Sequence, residues 1–216
     1  LDVVVAGITN TIEITAFDFA GELDTNVPIE VVDADGVSGL TAEATTNDTG
    51  VATVSFTETT AGTYTITFAN ADKPDISNTA SVTVVADSVG ATGADGTAAG
   101  SISEVAQPSS GAGVTDTIEV SATDRFGNPV PGANLSVASN SSLGGLANGT
   151  SVSTNDSGVA TLAFTETRAG DYDVELVDES ATVTQTVTVT VTNHPDGVSG
   201  DEGGSITVEG PSTTSA

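Results

Sequence analysis

The segment from Asn47 to Tyr64 returns, with most residues unchanged, as the segment from Asn155 to Tyr172. Both copies contain Gly-Val-Ala-Thr, then Phe-Thr-Glu-Thr, then Ala-Gly two residues before the tyrosine. The shift of 108 residues, from 47 to 155, is too long for a solenoid unit, which buries its core only against its neighbours. It suits a domain with a core of its own. The chain is therefore predicted to contain two similar domains in series.

Apolar and polar residues alternate along the main segments of both copies, which is typical of strands with one buried face. The segment Thr63–Phe68 alternates throughout, and its counterpart Asp171–Leu176 keeps the apolar positions while its outward threonines become acidic. Turn clusters rich in Gly, Asn, Asp and Pro separate these segments. No segment has a helical period, so the crossover helices of a parallel sheet are missing. The prediction is an all-β chain of antiparallel sandwiches, with strands at 11–17, 27–32, 51–57, 63–68 and 79–85, then 100–109, 118–122, 133–138, 159–165, 171–176 and 182–191.

The domain boundaries follow from the repeat and from Gly/Asp-rich stretches. We predict a first domain at 1–86, a linker at 87–99, a second domain at 100–192, and at 193–216 a linker and the start of a third repeat. The third repeat is predicted because Gly204-Ser-Ile matches Gly100-Ser-Ile, and Pro-Ser follows in both places. Leu1–Val5 matches only the tail of an opening strand, so the chain resembles a piece of a longer array.

The charge of the chain is extreme, since 30 acidic residues face three basic ones and the net charge is −27. This excludes a nucleic-acid groove or an anionic membrane surface as the target, because both require a basic surface. There is also no run of eighteen apolar residues for direct membrane insertion. So many carboxylates repel one another in dilute buffer, but at molar salt the Debye length falls to about 3 Å. The composition resembles that of proteins from extreme halophiles, with cations from high salt as expected partners.

A longer string carries a family resemblance. The segment Ala122–Ala133 reads Ala-Thr-Asp-Arg-Phe-Gly-Asn-Pro-Val-Pro-Gly-Ala, and Asn-Asp-Ser-Gly-Val-Ala-Thr and Ala-Gly-Asp-Tyr follow it. Together they resemble the bacterial immunoglobulin-like domains of the invasin and intimin type, as in haloarchaeal cell-surface proteins. The most specific element, Asp-x-x-Gly-Asn-Pro-Val-x-Gly, is complete only in the second repeat. The first repeat has Asp18-Phe-Ala-Gly-Glu22 without a proline in the turn, so a different turn geometry is expected there.

The resemblance implies two tandem immunoglobulin-like antiparallel β-sandwiches that act as a rigid extracellular spacer. It also implies that binding specificity resides in another domain of the same protein. Tyr64 and Tyr172 follow Ala-Gly at the place where such sandwiches have a tyrosine whose hydroxyl bonds the backbone at a corner. We predict that both are structural. The alternative, sugar-stacking aromatics, would need tryptophan or a cluster of aromatics, and the sequence has no tryptophan.

The sequence offers little for catalysis or for a cofactor. It has no cysteine, and its single histidine, His194, lies in an Asn-His-Pro-Asp-Gly linker, which disfavours a Ser-His-Asp relay and a two-histidine metal site. A pair of carboxylates can hydrolyse a glycoside only in a cleft that holds the sugar and raises one pKa, and the pattern of solvated acids indicates none. We therefore predict a protein that is not an enzyme and that carries no organic cofactor.

Two kinds of surface site remain as alternatives to plain turns. Asp33 and Asp35 place hard oxygen ligands on a turn, as Ca²⁺ requires, although turn formers on an acidic surface have the same pattern. A further alternative is a calcium site that stiffens the junction between domains, built from the linker acids Asp95, Asp201 and Glu202. Five Asn-x-Ser/Thr sequences are candidates for glycosylation or are simply Asn turns, at Asn47, Asn134, Asn140, Asn148 and Asn155.

These observations favour a non-enzymatic structural or adhesive module of a halophile's surface layer, stalk or adhesin, located outside the cell at its surface. Its partners are neighbouring repeats of the same polypeptide, together with lateral self-assembly through sheet edges. Two other classes stay open: a capsid decoration, turret or fibre protein on the virion surface of a haloarchaeal virus, and an accessory binding module of a secreted enzyme. Flanking sequence would separate the three.

Overall fold

The computed structural model describes residues 2–92, 99–180 and 182–194, which form two β-sandwiches one after the other. These residues contain strands and turns but no helix, and therefore no helix long and apolar enough to cross a membrane. The prediction of an all-β chain is confirmed. The predicted third repeat at 193–216 lies almost entirely outside the described residues.

The first sandwich pairs a five-stranded sheet with a two-stranded one. The five-stranded sheet has the order β1-β7-β6-β3-β4, in which β1 runs parallel to β7 and the other neighbours are antiparallel. The second sheet is the antiparallel pair β2-β5. The strands are β1 Asp2–Val5, β2 Asn10–Thr15, β3 Pro28–Asp33, β4 Glu43–Thr45, β5 Val51–Phe56, β6 Gly62–Asn70 and β7 Lys73–Val85.

The second sandwich repeats this topology with one additional strand. Its sheets have the orders β12-β11-β14-β15-β9 and β13-β10-β8. The strands are β8 Ser101–Glu104, β9 Ser109–Gly111, β10 Thr115–Thr123, β11 Asn134–Asn140, β12 Ser151–Ser153, β13 Val159–Thr165, β14 Gly170–Asp178 and β15 Thr184–Thr192. Even the bulge on β3 at Val31–Asp33 returns on β11 at Val137–Ser139.

The opening segment of the second domain differs from the single strand predicted at 100–109. It forms two strands, because β8 pairs with β10 in one sheet and β9 pairs with β15 in the other. Pro108 stands at the crossing, where its carbonyl accepts a hydrogen bond from Thr190 and its missing N–H is not needed. Strand β1 corresponds to β9, as its parallel pairing with the last strand shows. No counterpart of β8 lies among residues 2–92.

Each sandwich has a core of aliphatic residues around one fully buried phenylalanine, Phe56 or Phe164. The two phenylalanines are equivalent in the repeat, and burial of such a side chain stabilises the fold by about 1.5 to 3 kcal/mol. Each core is closed at one end by a buried threonine. Thr154 Oγ1 donates to Val130 O over 2.6 Å and accepts from Ala133 N over 2.8 Å. Thr46 makes the equivalent pair of bonds with Asp24 and Val27. These hydrogen bonds hold the backbone in place where the chain enters β3 in the first domain and β11 in the second.

Candidate functional site: an interdomain joint

The turn between β10 and β11, residues 124–128, is closed by the carboxylate of Asp124. Its Oδ1 accepts hydrogen bonds from the backbone N–H groups of Phe126 and Asn128, both at 2.9 Å. The backbone N–H of Asp124 in turn donates to Asn128 O over 2.9 Å. Gly127 takes the left-handed conformation with φ of 86°, which other residues rarely adopt. The family motif Asp-x-x-Gly-Asn therefore forms a turn that is stabilised by hydrogen bonds within the motif itself.

The side chain of Asn128 connects this turn to the first domain. Its Nδ2 donates to Thr59 O over 2.8 Å, and its Oδ1 accepts from Ala61 N over 2.9 Å. The side-chain amide thus pairs with the backbone of another domain as a strand would. Nδ2 also donates to Asp124 Oδ2 over 2.9 Å. Asn128 is only 7% exposed, so these bonds are shielded from water.

The linker is bound to the same turn. Asp87 N donates to Asp124 Oδ2 over 3.0 Å, and the Asp87 carboxylate lies 3.4 Å from Arg125 Nη1. The Arg125 guanidinium lies 4.7 Å from the centre of the Phe126 ring, within range of a cation–π interaction. That ring packs on Gly7, where an added Cβ would come within 2.2 Å of Phe126 Cζ. Gly7 is thus required by the closeness of the two domains.

The surface that receives Asn128 is shaped by a buried carboxylate, Glu58. Its Oε1 accepts from Thr59 N at 2.8 Å and Thr60 N at 2.7 Å, and its Oε2 accepts from Ser38 N at 2.7 Å. Burial by itself raises the pKa of Glu58, but these backbone bonds together outweigh it and hold the pKa below its ordinary value of 4.5. Glu58 therefore stays ionised and holds the 58–61 turn in the shape that Asn128 meets.

Glu166 holds the equivalent turn of the second domain by accepting hydrogen bonds from backbone N–H groups. Its Oε1 accepts from Thr167 N at 2.8 Å and Arg168 N at 2.9 Å, and its Oε2 from Gly144 N at 2.8 Å. The bonds from Arg168 and Gly144 are the main reason that the pKa of Glu166 lies below 4.5. The two glutamates are equivalent in the repeat, so each sandwich has the same capped turn at this end.

The first domain has its own copy of the 124–128 turn, residues 18–22. Asp18 Oδ1 accepts from Ala20 N at 2.8 Å and Glu22 N at 2.9 Å. The expected difference in turn geometry is therefore absent, because the Asp carboxylate closes the turn and proline is not needed. The residue in the place of Asn128 is Glu22, and both Asp18 and Glu22 are exposed. Phe17 and Phe19 beside them are exposed as well.

The predicted tyrosines lie at the capped turns. Tyr64 Oη donates to Thr60 O over 2.8 Å, and Tyr172 Oη donates to Arg168 O over 2.9 Å. Burial, and next the charge of Glu58, raise the pKa of Tyr64, so its hydroxyl stays protonated as a donor. Each tyrosine thus bonds the carbonyl four residues before it.

Of the predicted calcium ligands, Asp33 is the last residue of β3 and Asp35 lies in the loop that follows. Asp33 Oδ1 accepts from Asp35 N over 3.2 Å, and Asp35 has a left-handed φ of 50°. Within the described ranges, no group of three or more His, Cys, Asp or Glu side chains converges as a metal site would need. The linker acids at 95 and at 201–202 lie outside those ranges. Calcium binding at Asp33 and Asp35 stays a prediction.

The glycosylation candidates fall into two groups by how their amides are used. Asn140 Nδ2 donates to Leu146 O and to Asn148 Oδ1, at 3.0 and 3.1 Å, and so braces its loop. Asn47 and Asn155 are exposed, and all their described side-chain bonds are accepted by Oδ1 in Asn turns. Asn134 is exposed at the start of β11, and Asn148 is exposed in the 141–150 loop.

A cleft of about 510 Å³ lies beside the joint, between the linker and the second domain. Its buried acid, Asp178, accepts from Val183 N over 2.6 Å and from Ser180 N over 3.0 Å. Burial raises the pKa of Asp178, but the bonds from Ser180 and Val183 outweigh it and lower the pKa below 3.8. An acid held ionised by its own hairpin turn is a turn former and not a proton donor.

The two repeated sandwiches and their sheet orders define the class of the protein, which is that of tandem immunoglobulin-like sandwiches. Residues 104–192, within the second domain, match the model of the bacterial Ig-like domain (group 1) family. The predicted resemblance is thereby confirmed for the second domain, and the first is its internal repeat. No curated protein matches the chain.

Two solved structures share the fold over most of the chain. The Escherichia coli adhesin FdeC is 18% identical, with 89% of this chain and 62% of that chain covered and a TM-score of 0.55. Yersinia pseudotuberculosis InvD is 16% identical, with 93% and 58% covered and a TM-score of 0.57. The chain thus spans about three fifths of the length of these two structures. At such identities the likeness shows the fold alone.

The joint was not among the sites predicted from the sequence. The sequence identifies the Asp-x-x-Gly-Asn motif as a family signature but does not indicate its contact with the preceding domain. The signal that could have found it is a difference between the repeats, since the second has Asn128 where the first has Glu22.

Replacing Asn128 by Asp tests the joint. The substitution removes the Nδ2 donor and places a second carboxylate beside Asp124 and the Thr59 carbonyl, so we expect the free energy of unfolding to fall by about 2 kcal/mol. Calorimetric unfolding at molar salt measures it. The matched control is Glu22→Gln, at the exposed counterpart, with an expected change within about 0.5 kcal/mol. Equal effects of the two substitutions would contradict the role of Asn128.

Replacing Glu166 by Gln tests the capped turn and its pH dependence. The amide replaces one acceptor oxygen by a donor group, so at pH 7 we expect a loss of about 1 to 2 kcal/mol. Because the folded pKa of Glu166 is lowered, its contribution is complete above the unfolded value of 4.5 and is lost as pH falls through the folded pKa. The difference in stability between the parent and Glu166→Gln therefore closes below pH 4.5. Exposed carboxylates titrate in both proteins and cancel in the difference. A gap that stays constant down to acid unfolding would contradict the assignment.

Proposed function

We propose that the chain is a non-enzymatic spacer module of an extracellular, cell-surface adhesin or surface-layer protein. Its mechanism is mechanical, since two domains joined at a fixed angle set the reach and direction of whatever lies beyond them. The observation that carries the proposal is the bond from Asn128 to the backbone of Thr59 and Ala61, shielded from water. The family match of the second domain supports it, and so does the shared fold with an Escherichia coli adhesin.

The joint has what a stiff connection needs. Interfaces between domains of one chain are commonly small and polar, and relative motion is the default unless specific contacts oppose it. Here the turn, the linker and the neighbouring domain are bound through one buried carboxylate, Asp124, which is 2% exposed. Bending the joint would break the bonds of Asn128 with Thr59 O and Ala61 N and leave buried polar groups unpaired, which costs more than the loss of an exposed contact.

We infer further that the protein works in high salt. Within the described residues there is one ion pair, Arg125–Asp87, and the buried acids are satisfied by backbone N–H groups instead. The remaining carboxylates repel one another across the surface, and salt screens that repulsion. A halophile's cell surface is the setting that this charge fits. The viral and enzyme-appendage alternatives would use the same joint, and flanking sequence separates them.

Glycans would attach most readily at Asn47 and Asn155, which are equivalent in the repeat. Their Nδ2 atoms hold no described loop together, whereas a glycan on Asn140 would replace a hydrogen that braces residues 146–148.

Ca²⁺ at Asp33 and Asp35 would require further oxygen ligands from water or from a neighbouring molecule.

Rigidity is tested by a distance distribution between the domains. The sequence has no cysteine, so Thr53→Cys and Thr161→Cys place unique spin labels at exposed, equivalent positions of β5 and β13. Pulsed electron–electron double resonance should give one narrow distribution of the distance between the two labels in the parent, and a broad distribution after Asn128→Asp. The same labels with Glu22→Gln are the control. A broad distribution in the parent would overturn the spacer proposal.

Salt dependence is tested by thermal unfolding from about 0.01 M to 1 M KCl, across which the Debye length falls from about 30 Å to about 3 Å. We expect the melting temperature to rise steeply, because screening removes the repulsion within a net charge of −27. Comparison of salts at equal ionic strength, with and without millimolar Ca²⁺, separates screening from cation binding. A flat melting temperature would contradict the halophile setting.

A further inference from the structure

The outer end of the second domain repeats the surface that the first domain uses in the joint. Gly113 corresponds to Gly7, and its N–H donates to Glu166 O over 2.6 Å, as Gly7 N donates to Glu58 O over 2.7 Å. The φ angles of the two glycines are 82° and 77°. The turn 167–169 corresponds to the turn 59–61 and is capped by its glutamate in the same way.

This outer end is uncovered where the joint is covered. Thr59 and Ala61 are half-buried, whereas Thr167 and Ala169 are exposed. A Cβ added at Gly7 would collide with the Phe126 ring, whereas one added at Gly113 meets no described atom within 4 Å. Among the described residues, no hydrogen bond occupies the Thr167 carbonyl or the Ala169 N–H. The surface that would receive an Asn-bearing turn is therefore complete, and no residue of the described part of the chain covers it.

We propose that Gly113 and the turn Thr167–Ala169 form a docking surface for another immunoglobulin-like domain that presents an Asp-x-Phe-Gly-Asn turn. The asparagine amide would donate to Thr167 O and accept from Ala169 N. The phenylalanine ring would lie on Gly113, where a side chain would exclude it. The proposal rests on the geometry of the joint and is independent of where the protein works.

The required partner is defined by residues that the first domain lacks. Its turn has Glu22 in place of the asparagine and Ala20 in place of the phenylalanine. A carboxylate can only accept hydrogen bonds, so Glu22 would face the Thr167 carbonyl with a second negative group. The unmodified chain is therefore not its own partner. The double substitution Ala20→Phe, Glu22→Asn converts this turn into the complementary half.

The experiment uses the grafted chain as its own partner. A short linker gives the joint an effective concentration in the millimolar range, so the ¹⁵N-labelled graft is studied up to about 1 mM at molar salt. We expect amide shifts at Gly113 and Ala169 to change with concentration, with slower tumbling as copies join head to tail. The unmodified chain should show neither change. Adding Gly113→Asn to the graft blocks the surface with a residue that tolerates a left-handed φ, and should weaken association about tenfold or more.

The matched control is Gly132→Asn in the graft, because Gly132 also has a left-handed φ and open space around it but lies at the opposite end of the domain. It should associate like the graft alone. Unchanged dispersion of the other amide signals establishes that every variant is folded. A folded graft without shifts at Gly113 and Ala169, or shifts that persist with Gly113→Asn, would overturn the proposal. Association of the unmodified chain that Gly113→Asn abolishes would also overturn it, because the docking surface would then accept a turn without the phenylalanine and the asparagine.

Discussion

The buried carboxylate of Asp124 is the group on which the arrangement of the two domains depends. Four N–H groups converge on it, from the backbone of Phe126, Asn128 and Asp87 and from the Asn128 side chain. A buried charge is costly unless all its partners stay in place. Two of these bonds close the local turn, and the other two hold the linker and place the Asn128 amide where it bonds the other domain.

The other buried acids of the described residues are also stabilised without a basic partner. Backbone N–H groups are the main stabilising partners of Glu58 and Glu166, and Asp178 is stabilised by the Ser180 hydroxyl and by backbone N–H groups, which suits a protein with three basic residues. Such bonds are short, local and shielded, so salt affects them far less than it affects exposed ion pairs. The interior thus tolerates the conditions under which the surface repulsion is screened. The same amino-acid composition therefore suits both the interior and the surface at high salt.

Duplication explains why the two ends of the molecule are related. Within the described residues, the turn at 18–22 and the capped turn at 166–169 are second copies of the two halves that meet in the joint. They have diverged unequally. The capped turn keeps every feature of its covered counterpart, whereas the first-domain turn keeps its backbone bonds but has Glu22 in place of the asparagine. Turn geometry is therefore separable from docking, because Asp and Gly make the turn while one side chain makes the contact.

The sequence by itself determined the two-domain plan, the all-β class and nearly every long strand, because alternation and turn residues report on local structure. It missed β4 and β12, which have three residues each, and it merged β8 with β9, because the change of sheet at Pro108 leaves no periodic signal.

What only the tertiary structure decided is the joint. Asn128 and its partners Thr59 and Ala61 lie 69 and 67 residues apart in the chain, and nothing in the spacing of a turn motif says which backbone its side chain will meet. The same holds for Gly7. Its left-handed conformation is common among glycines in turns, but only the contact with Phe126 explains why a residue without a side chain is needed at this position. Periodicity is a property of neighbours in sequence, whereas a contact between domains depends on how two complete folds present their surfaces to each other.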